Sequence, residues 1–165
     1  MRVVVCDTGP ILHLSEADAL GLLANTGEVM GPSAVERELT ARISDWSVRR
    51  PTWLQVELIH DMPAWQLEQL TALAGLGAGE AEAIVLARSR SADWLLTDDA
   101  GARVIATVFG MEVHGSVGVV LWAAATRHID AQQANSVLDR LAKSSLWITP
   151  AILAQARRAL DTLFP

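Results

Sequence analysis

The chain has 165 residues, 51% hydrophobic and 19% charged, with a formal net charge of −6. That length supports one domain with a buried core, and the composition argues for a compact globule and against disorder. The acidic balance lacks the basic footprint of a general nucleic-acid binder, and no apolar run approaches the ~18 residues of a membrane span. A single cysteine, Cys6, permits neither an internal disulfide nor a thiolate zinc site. Arg2 is followed by a short apolar run and an acid, without the long apolar stretch and cleavage site of a secretory signal. A soluble cytoplasmic protein is therefore expected. Basic charge is nonetheless gathered at Arg37, Arg42, Arg49 and Arg50, and again at Arg88 and Arg90. Arginine's planar fork suits carboxylate or phosphate partners, although solvated helix faces account for each arginine taken singly.

In chain order, residues 2–6 read as a strand and residues 11–23 as one or two short leucine-rich helices. Val29-Met30 is a short strand stopped by Gly31-Pro32, and Pro32 suits the first turn of a helix to about Ile43. A loop spans residues 44–51, and residues 53–59 alternate as a strand. Helical spacing recurs over 65–73, and after Gly75, Gly77 and Gly79 an alanine-rich helix runs to about Arg90. Residues 94–97 form the next strand, 100–109 a helix and 111–114 a last short strand. Ser116 is the expected cap of a helix to Thr126, and amphipathic helices follow near 131–141 and 150–163. Strands separated by helices predict a central parallel sheet covered on both faces, a three-layer α/β/α sandwich. The surplus C-terminal helices pack on this core or on a second subunit. One domain over 1–165 is the simplest division.

Two apolar strands end in acids: Val-Val-Val-Cys runs into Asp7, and Trp94-Leu95-Leu96-Thr97 runs into Asp98-Asp99. In open α/β sheets that edge is where ligands bind. Helix capping accounts for Asp7 about as well as function does, and one of Asp98 and Asp99 suffices as a cap. Glu36 and Glu38 both flank the core face of their helix, and periodicity does not choose between them. Glu80 shares a face with Ala83, Ile84 and Ala87, whereas Glu82 points the other way, so Glu80 is preferred. Carboxylates collected from four regions with no lysine nearby need cations to offset their repulsion. Oxygen-only ligands select hard metals such as Mg²⁺ or Mn²⁺, and such metals promote phosphodiester hydrolysis.

Val-Val-Cys-Asp-Thr-Gly-Pro-Ile-Leu at the start, Gly31-Pro32 with Val35 and Glu38-Leu39, Gly79-Glu80-Ala81-Glu82-Ala83-Ile84, and Leu95-Leu96-Thr97-Asp98-Asp99 with Arg103 resemble the PIN-domain nucleases. The likeness is to the prokaryotic branch that includes VapC-like toxins of toxin–antitoxin pairs. It covers roughly residues 1–125, with 126–165 as additional C-terminal helices, and Val113-His114-Gly115-Ser116-Val117-Gly118 resembles a late element of one subgroup. The resemblance implies a ribonuclease with an acidic pocket for Mg²⁺ or Mn²⁺. By position it makes Asp7, Glu38, Glu80 and Asp99 metal ligands, with Asp98 a further catalytic candidate and Thr8, Thr97 and Arg103 in support. It also implies an RNA substrate, a homodimer and a cognate antitoxin protein.

Other readings fit less well. A phosphoacceptor module needs a lysine after a late strand, and the only lysine is Lys143 in the tail. A phospho-aspartyl phosphatase wants an acid where Gly9 stands, and the glycines at 75–79 follow a helical pattern where a dinucleotide loop follows a strand. A PIN-fold binding module without turnover, sequestering a nucleic-acid or protein partner, is the main alternative. The four histidines show no ligand spacing and are assigned no catalysis. The six tryptophans read as core or interface anchors, with Trp46 singled out as a platform for single-stranded RNA because it sits among arginines.

Overall fold

The computed structural model describes residues 1–59, 69, 72 and 75–164. In chain order the elements are β1 (Val3–Cys6), α1 (Thr8–Glu16), a 3₁₀ turn (Leu20–Asn25), β2 (Glu28–Pro32), α2 (Ser33–Arg42), α3 (Trp46–Arg49) and β3 (Gln55–Glu57). There follow α4 (Ala78–Ser89), β4 (Trp94–Leu96), α5 (Ala100–Val108), β5 (Val113–His114), α6 (Ser116–Ala125), α7 (Ala131–Leu141) and α8 (Pro150–Leu163). The helix expected over 65–73 lies outside the described residues. All strand pairs are parallel, in the order β3-β2-β1-β4-β5.

Side-chain alternation along the strands divides the core into two. Val4, Cys6, Val29, Trp94 and Leu96 join one apolar cluster, which includes Ile11 and Leu14 of α1 and Val119 and Val120 of α6. Val5, Met30 and Leu95 join the other, built with Ile84 and Ala87 of α4 and Ala102 and Ala106 of α5. The result is the three-layer α/β/α sandwich. Leu138 and Leu141 of α7 and Leu160 of α8 are buried in the first cluster, so the C-terminal helices cover the chain's own core. Among the described residues no helix is long and apolar enough to cross a membrane.

One stretch corrects the sequence reading. The loop expected over 44–51 holds the short α3, entered through Asp45 in a left-handed conformation (φ 59°). Trp46 is only 2% exposed, and its Nε1–H donates to Glu36 Oε2 at 2.9 Å. A tryptophan buried in the core offers no face to RNA, so the stacking role expected for it is withdrawn.

The β1–β2 corner depends on one glycine. Gly27 has φ +152°, and a Cβ there would collide with the Arg2 carbonyl that receives the Glu28 N–H. Gly27→Ala is therefore expected to cost about 3 kcal/mol in urea unfolding. A change below about 0.5 kcal/mol, the range of ordinary surface substitutions, would show that the corner relaxes freely.

Candidate active site

Parallel strands bring their C-terminal ends to one edge, and the strand order reverses between β1 and β4. Crevices at such switch points receive ligands. Asp7 leaves β1 there, its N–H donating to the Leu96 carbonyl at 2.9 Å. Its Oδ1 accepts the Thr8 N–H at 2.6 Å, and its Oδ2 accepts the Thr97 hydroxyl at 2.9 Å. The Thr97 oxygen in turn accepts the Asp99 N–H at 3.2 Å, which ties the two strand-end acids together. Asp99 Oδ1 caps α5 by accepting the Ala102 N–H at 2.7 Å. Arg103 Nη1 donates to the Thr97 carbonyl at 3.1 Å and braces that turn.

From the β2 side, α2 brings in Glu38. Its Oε2 accepts the Thr8 hydroxyl at 2.5 Å, and its Oε1 accepts the Gly79 N–H at 3.0 Å, one residue before Glu80. Burial pushes the Asp7 carboxyl from 3.8 up to about 7; repulsion from Glu80 and, less, from Glu38 adds to this, opposed by the Thr8 N–H and the Thr97 hydroxyl. Glu80 is raised as well, first by burial and then by Asp99 and Glu38. These four carboxylates therefore act on one another. Among the described residues none of them forms an ion pair with a lysine, arginine or histidine. Among the described residues, compensation comes from helix N-terminal N–H groups of Thr8, Gly77, Gly79 and Ala102 and from the hydroxyls of Thr8 and Thr97.

The pairs that the sequence left open separate in space. Asp98 turns from the crevice: its Oδ1 accepts the Ser116 N–H at 2.7 Å, and its Oδ2 accepts the Ser116 hydroxyl at 2.6 Å and meets His13 Nδ1 at 2.8 Å. Ser116, expected as the cap of α6, is instead its first residue; Gly115 holds the N-cap position and Asp98 supplies the acceptor. Glu36 is occupied by Trp46 and by Arg50 at 3.3 Å. Glu82 accepts the Ala34 N–H at 3.0 Å. His13, assigned no catalysis from its sequence spacing, meets Asp98 across 85 residues, a contact that nothing in that spacing signals. Burial, with Asp7 and Asp98 nearby, pushes the Cys6 thiol well above its usual range, so it stays protonated and inert.

Asp7, Glu38, Glu80 and Asp99 offer oxygen donors only, the set preferred by hard divalent cations. Among the described residues no three His, Cys, Asp or Glu side chains converge tightly enough to enclose an ion, and both Glu38 oxygens are taken by Thr8 and Gly79. The donor chemistry nevertheless fits such a cation. The raised Asp7 value also means that its carboxyl holds a proton up to near neutral pH, which relieves part of the repulsion.

Neither the curated proteins nor the solved structures yield a match to the chain. The family model DUF3368, described as a PIN domain, matches residues 3–162, taking in the C-terminal helices together with the sheet. The chain belongs to the PIN-domain family.

Proposed function

We propose that the protein is a divalent-metal-dependent endoribonuclease in which Asp7, Glu38, Glu80 and Asp99 hold Mg²⁺ or Mn²⁺. PIN domains are generally nucleases that use divalent metals. The observation that carries the reading is a set of mutually repelling carboxylates, without a basic partner among the described residues, at the sheet's switch point. When bound, the ion supplies charge stabilisation for the phosphodiester and a more acidic water. The chain's own residues hold the geometry. Thr97 fixes the Asp7 carboxylate and the Asp99 backbone, Thr8 fixes Glu38, and Arg103 and Asp98 brace the β4–α5 turn from either side.

Glu80→Gln and Asp99→Asn keep shape and remove charge. Each is expected to slow cleavage of end-labelled single-stranded RNA at least about 100-fold. Thr97→Val is expected to cost about 10- to 100-fold, as for groups that orient metal ligands. Cleavage at the wild-type rate by both carboxamide variants would overturn the site.

The finer reading is a cytoplasmic toxin of a toxin–antitoxin pair, a single domain over 1–165 that dimerises and is held by an antitoxin. Val104 and Val108 on α5 and Trp147 between α7 and α8 are exposed apolar groups available to such partners. A small DNA-binding protein encoded next to it and a dimer by light scattering would support this; a monomer would remove the dimer.

A further inference from the structure

We infer that Glu82 is a positioning residue for the acidic site: it seats α2 against α4 and thereby sets where Glu38 reaches, without holding the metal itself. The activity part of this inference rests on the nuclease reading; the structural part does not.

Two helices that meet at the site have N-cap residues without a capping side chain, and in α4 Glu80 reaches back only to the Gly77 N–H. Pro32 precedes α2 and Gly77 precedes α4, and neither makes a side-chain capping bond. Each helix borrows its acceptor from the other. Glu82 of α4 accepts the Ala34 N–H of α2 at 3.0 Å, and Glu38 of α2 accepts the Gly79 N–H of α4 at 3.0 Å. Ala34 and Glu38 stand four residues apart, and Gly79 and Glu82 three, so the contacts lie about one turn apart on both helices. Each carboxylate sits at the positive end of its partner's dipole, which makes the arrangement a reciprocal clasp.

The clasp has little slack. A Cβ on Gly79 would lie 2.8 Å from both Glu38 carboxylate oxygens, and Ala34 is buried. Glu82 is itself only 14% exposed, and Arg37 Nη2 stands 3.5 Å from its second oxygen. Its two oxygens are therefore directed to Ala34 and Arg37, on α2. Glu80 on the same helix instead shares the repulsive field of Asp7 and Asp99. Tilting α2 away from α4 would break the Ala34 bond and withdraw Glu38 from Gly79 and Thr8 together. A misplacement of that kind acts on turnover more than on substrate affinity.

The test compares Glu82→Ala and Glu82→Gln in the full chain, with Glu80→Gln alongside. In EDTA, Glu82→Ala is expected to speed amide hydrogen exchange at both Ala34 and Gly79 about fivefold or more, the loss of one cap. With Mn²⁺ it is expected to lower kcat for RNA about 10- to 100-fold while KM stays within about twofold. Glu82→Gln keeps an acceptor for the Ala34 N–H and is expected to restore both readouts to within about threefold of wild type. Should Glu82→Ala fail to fold, Glu82→Asp, shorter by one methylene, is expected to show the same changes in smaller measure. If Glu82→Gln is as inactive as Glu80→Gln and loses the Mn²⁺-induced thermal shift, Glu82 is a ligand and the inference is overturned. Faster exchange at Ala34 alone, with Gly79 and kcat unchanged, would reduce Glu82 to a local cap and overturn it equally. A wild-type protein that cuts no RNA defeats the nuclease reading, and the exchange rates still decide the clasp.

Discussion

In EDTA at pH 8, Asp7→Asn is expected to be more stable than the wild-type protein by as much as about 4 kcal/mol, and at pH 4 the two are expected to be nearly equal. Asp7 is 2% exposed, and burial followed by repulsion from Glu80 moves its carboxyl from 3.8 to about 7. The folded state thus binds the Asp7 proton more tightly than the unfolded state. Wild-type stability falls as pH rises between those two values, and the loss is complete above the folded one. An amide in the same place has no charge to bury, so its profile lacks this slope. The gain is reduced by whatever the amide forfeits at the Thr8 N–H or the Thr97 hydroxyl, both of which now meet a carboxylate. Urea unfolding at pH 4, 6 and 8 reads the effect. Parallel profiles for the two proteins would show that Asp7 ionises without strain.

A divalent cation is expected to reverse the same penalty. At about a hundred times its Kd, Mn²⁺ stabilises the protein by about 3 kcal/mol. For a domain of this size that is a rise of about 6 to 12 °C in Tm at pH 8. The rise shrinks towards pH 5, because the proton on Asp7 must be displaced before the carboxylate binds an ion. Glu80→Gln and Asp7→Asn are each expected to remove most of it. A shift of equal size at pH 5 and pH 8, or one that survives in both variants, would place the ion elsewhere.

The sheet was legible because strands buried on both faces leave continuous apolar runs, as in Val3–Cys6 and Trp94–Leu96. Gly31-Pro32 and the alanine-rich run after Gly79 marked helix starts for the same local reasons. Trp46 was not legible. Its proximity to arginines in sequence suggested an exposed platform, whereas its indole bonds to Glu36 ten residues away and turns inward. Glu36 and Glu38 flank one helix face symmetrically, and distant partners distinguish them: Thr8 and Gly79 for Glu38, Trp46 and Arg50 for Glu36. Asp98 and Asp99 are neighbours whose directions are set by Ser116, 18 residues on, and by Ala102. The acids that cap α2, α4 and α6 come from distant segments, because Pro32, Gly77 and Gly115 offer no capping side chain. Local capping rules see none of these three.

The most direct measurement is cleavage of single-stranded RNA by wild-type protein and by Asp7→Asn, each with Mn²⁺ and with EDTA. Wild type is expected to cut only with the metal, and Asp7→Asn at least about 1,000-fold more slowly, although it is folded and, without metal, the more stable of the two. Equal cleavage by the two proteins, or cleavage undiminished in EDTA, would contradict a metal-dependent site built on Asp7. A well-folded wild-type protein that neither cuts RNA nor binds Mn²⁺ by calorimetry would leave a PIN-fold binding module in its place.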